Sequence, residues 1–232
     1  LGSQNGLDNQ GGQLNLGIVK IKGSSFNNDQ GQLNVKQADI QTMSFMNQQG
    51  QLASNSRLNI QSQTANNQGG KIHSIEQLDL AVTDELNNTD GQIASQATVN
   101  ITVSDLKNQS GVVYSENQAV NIKASKTIDN TEGLIQAKTN LNLDSQSLNN
   151  TTGLVAADQI DQKHVTVNNN QGSIAAQQNL NSIVQQFDNT KGKIQAKSIE
   201  LKHNKIKNTG SVYACQGLII SGEMIQNAGS LA

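Results

Sequence analysis

Asn130-Thr131-Glu132-Gly133-Leu134-Ile135-Gln136-Ala137 and, twenty residues later, Asn150-Thr151-Thr152-Gly153-Leu154-Val155-Ala156-Ala157 are two copies of one pattern. Working outward from them, the chain aligns on one glycine per unit: Gly12, Gly31, Gly50, Gly70, Gly91, Gly111, Gly133, Gly153, Gly172, Gly192, Gly210 and Gly229. These glycines are 18 to 22 residues apart, so the chain is twelve registers of one unit of about 20 residues. Two residues after each glycine stands an aliphatic side chain without exception, from Leu14 and Leu33 through Ile135 and Val155 to Val212 and Leu231. Two further on the residue is Leu16 or Val35 at first, then Ser54, Ser74, Ser95 and Ser115, then alanine from Ala137 to Ala214. An asparagine precedes the glycine by three residues from Asn9 to Asn189, and by two at Asn208 and Asn227.

Each unit has two more apolar patches. One sits just before the asparagine, as Phe45, Leu86, Ile128 and Phe187 do, and the other is an alternating pair such as Leu58/Ile60 or Leu141/Leu143. Three short stretches of period two, separated by polar turns, read as three short strands. Such a unit cannot cover its own apolar face, but successive turns of a coil can stack like residues on like. The spacing therefore predicts an all-β fold, a parallel β-helix (β-solenoid) of about twelve rungs, with residues 1–232 forming one repeat domain. At about 4.8 Å per rung it makes a rod roughly 55 Å long. Parallel crossovers favour the right-handed coil.

The composition fits that geometry. Of 232 residues, 34% are hydrophobic, 15% charged and 2% aromatic, with no proline, no tryptophan, 31 Asn and 30 Gln. Like charges stacked at about 4.8 Å repel by about 1 kcal/mol even in water, so charged columns are disfavoured. Neutral amides can instead form hydrogen-bonded ladders. Proline would remove a ladder donor. The glycine is expected at a positive-φ turn position, with the asparagine bonding the turn backbone. On this reading Asn130→Ala is modestly destabilising. The small residue suits a narrow interior corner.

Several functions are excluded or disfavoured. The longest apolar runs, such as Leu218-Ile219-Ile220, fall far short of the ~18–20 residues of a membrane-spanning helix. The formal net charge of -2, with Arg57 the sole arginine, gives no footprint for nucleic acid. The lone Cys215 builds no disulfide or cysteine zinc site within the chain; strand alternation turns it outward, where an idle thiol is the first expectation and an intermolecular disulfide the alternative. The chain opens on Leu1-Gly2-Ser3 with no basic stretch leading into an apolar one, so a targeting segment is expected elsewhere.

No catalytic, cofactor-binding or metal site is expected, and no cofactor. His164 and His203 share an offset of eleven residues from Gly153 and Gly192, with Ile183 between them; about 10 Å apart, they are too distant for joint ligation. With His73 they are expected on the surface. Asp84 and Asp105 share an offset of fourteen, but counted back from the next glycine they fall one out of line, and no sugar platform accompanies them. Asp84/Glu85 and Asp158/Asp161 read as solvated turn charges. Tyr114 and Tyr213 face outward, too far apart for one aromatic patch.

The quoted units resemble the filamentous-haemagglutinin repeats of Gram-negative two-partner-secretion exoproteins, a family of adhesins and contact-dependent growth-inhibition proteins. The resemblance covers essentially the whole chain. It implies a right-handed β-helix, export through a partner outer-membrane transporter to the bacterial surface, and a non-enzymatic stalk that holds binding or toxin elements away from the cell. A receptor- or glycan-binding face is the alternative, and a polysaccharide lyase or hydrolase a third. Units of uniform length favour the stalk, because solenoid sites are built from long insertions. The family's amino-terminal secretion domain is not recognisable, so the chain reads as a piece of a longer protein, with end-to-end association of the piece a further expectation. Leu16 and Val35, and the shortened last two turns, bear on the shape of the end rungs.

Overall fold

A computed structural model describes residues 6–232; the opening Leu1-Gly2-Ser3 lies outside the described residues. Every strand pairing is parallel, and the strands form one continuous sheet wound as a right-handed β-helix of about eleven turns. The described residues contain no helix.

The sequence pattern explains the winding directly. On the first face the aliphatic residue two after each glycine stacks in register, Ile72 on Ile93, Val113, Ile135, Val155, Ile174 and Ile194. All are essentially inaccessible to solvent. The second face stacks Leu58, Leu78, Val99, Val120 and Leu141. The third stacks Phe45, Ala65, Leu86, Leu106, Ile128 and Leu148. These columns meet in one continuous apolar core, and each fully buried aliphatic side chain contributes about 1.5–3 kcal/mol. At the amino-terminal end Phe26 and Phe45 pack with ring centroids 5.7 Å apart. The small residues after the first face are interior corners: Ser74 is buried and donates to the Ser56 and Gln77 carbonyls.

Three short strands per rung hold only in the middle of the chain, for example Lys71–Ser74, Leu78–Val82 and Glu85–Asn87. Toward both ends the three merge into single bent strands, Gln13–Asn27 and Gln32–Met46 at one end and Leu154–Asn168, Ser173–Asn189, Lys193–Asn208 and Ser211–Asn227 at the other. Pairing continues around the corner there, at the carboxy-terminal end with one-residue register shifts such as that between Ala175 and Asn179.

The turn differs from expectation. The glycine N–H closes a tight turn onto the asparagine carbonyl, as from Gly153 to Asn150 at 3.2 Å. The left-handed position, however, is the residue before the glycine: Gln30, Gln49, Asp90, Ser110, Glu132, Thr152, Gln171 and Lys191 have φ between 51° and 57°, and Gly11 and Gly69 occupy the same place. The motif glycine is required by crowding instead. A Cβ on Gly153 would collide with the backbone carbonyl oxygen of Asn130, one rung earlier, and the same holds from Gly31 to Gly192. In the two contracted turns no left-handed residue is used, and Gly210 approaches Gly192 rather than an asparagine.

Candidate functional site

The most ordered polar feature is inside the rod. Each motif asparagine donates from Nδ2 to Oδ1 of the asparagine one rung later. Eleven such bonds of 2.6–2.8 Å run unbroken from Asn9 to Asn227. In most rungs the same Nδ2 also reaches the carbonyl of its own motif glycine, as expected, and that of the residue after the next glycine; Asn130 does so to Gly133 and Leu154. From Asn28 to Asn189 these side chains are fully buried. Buried amides are tolerated because every donor and acceptor is matched by an identical neighbour.

A second amide ladder lies outside, on the second face. Asn142 donates to Asn121, Asn121 to Asn100 and Asn100 to Asp79; Asn59 donates to Asp39 and Asn181 to Asp161. Each run ends on an aspartate, which only accepts. Asp161 is thus a strand-face ladder terminus rather than a turn charge. Asp79 Oδ2 also accepts from Arg57 Nη2 and Nε, at 2.7 and 3.0 Å. Burial raises its carboxyl's pKa, but the bonds from Asn100, Gln77 and Arg57 outweigh it and hold the group below the ordinary aspartate value.

The histidines correct the surface expectation. His164 and His203 are buried, at 4% and 6% exposure, and the residue between them is Val184, not Ile183. The Gly172 rung carries an extra residue at its corner, where Ala157 pairs with Ala176 but Gln159 with Asn179, so a count from the glycine slips by one. His164 Nδ1 lies 2.7 Å from Ser145 Oγ, which itself donates to the Ser147 carbonyl at 2.9 Å. Nδ1 therefore carries the proton, and the buried Nε2 has no protein partner. Burial pushes the imidazole down to about 4, against a smaller upward pull from the Ser145 backbone. His203 is lowered by burial as well, opposed by the Asn204 backbone. With Gln162, which donates to Ser182 at 2.9 Å, they form a polar interruption of the aliphatic core. His73 is half-buried on the outer side of the first face, level with Ala53 and Ala94.

Asp84 and Asp105 do not share a column. Asp105 stacks on Glu85, not on Asp84, because the Gly70 rung has Thr83 and Asp84 where the next has only Ser104. The Ser104 and Asp105 amides both donate to the Asp84 carbonyl. Glu85 on Asp105 is a stack of like charges, contrary to the disfavoured column, and flanking cations offset it: Lys107 lies 2.8 Å from Glu85 and Lys126 3.6 Å from Asp105. Glu85 is therefore a strand-face residue, not a turn charge. Among the described residues no three His, Cys, Asp or Glu side chains converge as metal ligands would. Cys215 is exposed, as alternation requires. Tyr114 and Tyr213 lie in one outward column, with Gln136, Ala156, Ala175 and Gln195 between them.

An uninterrupted parallel β-helix with amide ladders inside and out defines the class: a solenoid repeat protein whose order runs along its axis. The family described as the haemagglutinin repeat matches at residues 1–38, 29–83, 76–131, 115–164 and 162–232, and the chain belongs to it. No curated protein and no solved structure matches the chain.

Proposed function

We propose that this chain is a section of rigid shaft in a secreted, surface-displayed exoprotein, an adhesin or a contact-dependent growth-inhibition protein. It is exported by the two-partner route through an outer-membrane transporter, and it acts by geometry, not by chemistry. The observation that carries this reading is the unbroken chain of asparagine bonds from Asn9 to Asn227, in units that never depart from 18 to 22 residues. Axial hydrogen bonds and a continuous apolar core resist bending, and each rung adds about 4.8 Å of reach. Membership of the haemagglutinin-repeat family supports the same role. With a single cysteine, folding rung upon rung as the chain emerges requires no oxidant.

One observation favours the second reading, a glycan-binding face. The shallow trough between Tyr114 and Tyr213 is floored by Ala156 and Ala175 and flanked by Gln136 and Gln195. Two experiments separate the readings. Deleting residues 92–133 joins Gly91 to Leu134 in register; a shaft shortens by about 10 Å in small-angle scattering and still melts cooperatively. The intact chain should show no saturable binding to target cells or to a glycan array. Saturable binding abolished by Tyr114→Ala or Tyr213→Ala would replace the shaft with the recognition module.

A further inference from the structure

The third face of the rod is complementary to itself. Its first outward column runs from Glu85 through Asp105 and Thr127 to Ser147, and on through Thr166 and Gln186 to Lys205. Ser147 is three rungs from Glu85 and three from Lys205. The second column runs from Lys107 through Asp129 to Asn149 and through Asn168 to Asp188, so Asn149 is two rungs from each charge. Both columns are thus centred on one rung, with opposite charges at equal distances on either side.

We infer that two copies of this chain pair side by side and antiparallel through this face, about a two-fold axis that crosses the rods at Ser147 and Asn149. Such an axis inverts height along the rod and keeps each column facing itself, as an isologous contact requires. Glu85 then meets Lys205 of the second copy, Lys107 meets Asp188, and Thr127 meets Thr166. The remaining positions oppose a charge to an amide: Asp105 to Gln186, Asp129 to Asn168, and Lys207 to Asn87. No like charges meet.

The charges are available for this. Glu85 and Lys107 bond each other at 2.8 Å, and Lys207 and Asp188 at 3.4 Å, yet all four side chains are 43–48% exposed. Among the described residues Lys205 makes no ion pair. One end of the face holds Glu85, Asp105 and Lys107, a net single negative charge, and the other holds Asp188, Lys205 and Lys207, a net single positive charge; antiparallel pairing neutralises both ends at once. The side chains between them are short, so the two sheets can approach closely. The patch is about 29 Å by about 10 Å on each copy, roughly 600 Å² in total, below the ~1,200 Å² of stable interfaces. The dimer is therefore weak and salt-dependent.

Sedimentation equilibrium of the Cys215→Ser chain, which excludes disulfide dimers through the exposed thiol, tests this. A monomer–dimer equilibrium is expected, weakening about tenfold or more from low to high salt. Lys205→Glu and Glu85→Lys should each raise the dissociation constant about tenfold or more, and the double reversal should restore it. In the same background Ser147→Cys should form an intermolecular disulfide, since the axis places that residue against its own copy. A monomer at all concentrations, a dimer indifferent to both single reversals, or a double reversal no better than either single one overturns the proposal. Both reversed positions are on the surface, and unchanged circular-dichroism melts confirm that the variants fold.

Discussion

Asn130 Nδ2 donates to Asn150 Oδ1 at 2.8 Å, and neither side chain reaches solvent. Asn130 in turn accepts from Asn108 at 2.7 Å, so it is a link rather than a cap. Asn130→Ala orphans the Asn150 acceptor inside the core, at about 1–3 kcal/mol, and also removes the bond accepted from Asn108, which keeps those to the Gly111 and Leu134 carbonyls, and the two donated to the Gly133 and Leu154 carbonyls, at about 1 kcal/mol each. The sequence alone suggested a modest loss; the ladder makes it about 3 kcal/mol or more, read from chemical denaturation. Asn130→Asp should be worse at neutral pH and partly recover in acid, because only a protonated carboxyl can donate onward.

The ladder also shows what was legible in the chain. The in-and-out pattern was, because an aliphatic residue two after each glycine leaves no freedom about which side faces inward. The corners were not. One extra residue, as at Thr83-Asp84 against Ser104, shifts every later offset in the rung, and this misaligned Asp84 with Asp105 and placed Ile183 between the histidines. The buried histidines had a local signal that offset counting hid: Ile160, Gln162 and His164 alternate in period two on one strand, so an inward Ile160 implies an inward His164. The left-handed residue before the glycine had a signal too, since Gly11 and Gly69 fill that place where other rungs have Gln, Asp or Thr. Amide ladders follow from the composition, but that the motif asparagines form one inside the core depends on how the turns stack.

The motif glycine is held by space. Gly153→Ala drives a methyl into the Asn130 carbonyl, and the backbone must move because no flexible side-chain end is there to yield. Overpacking of this kind costs about 1–3 kcal/mol, and the upper end is expected. Gly17, with open space around its missing Cβ, is the control: Gly17→Ala should leave the melting temperature almost unchanged.

The residue before the glycine should respond in the opposite direction. Thr152 is β-branched, exposed and held at φ 53°, a conformation that costs an L-residue about 1–2 kcal/mol. Thr152→Gly removes that strain and forfeits part of the gain to the greater freedom of the unfolded chain. A net stabilisation of about 0.5–1 kcal/mol is expected. Thr151→Gly, one position earlier and outside the left-handed region, should destabilise; an equal effect at both positions would show that φ is not the cause.

His164 predicts how stability follows pH. Its folded value of about 4 lies below the ordinary 6.5, so on acidification the unfolded chain takes up its proton first. The stabilisation from keeping this imidazole neutral is complete above pH 6.5 and is lost progressively as pH falls to about 4. At about 1.4 kcal/mol per unit the loss is about 3 kcal/mol, and His203, lowered by the same burial, adds to it. Asp79, Asp105 and Asp188 are each held below 3.8 by hydrogen bonds and neighbouring cations despite burial, so their contributions fall away only under more acidic conditions. Denaturation midpoints measured across pH 7 to 4 should therefore decline. His164→Val, which places in that column the residue the next rung already uses at Val184, should flatten the decline without lowering stability at pH 4. A variant as acid-sensitive as the parent would show that the loss arises elsewhere.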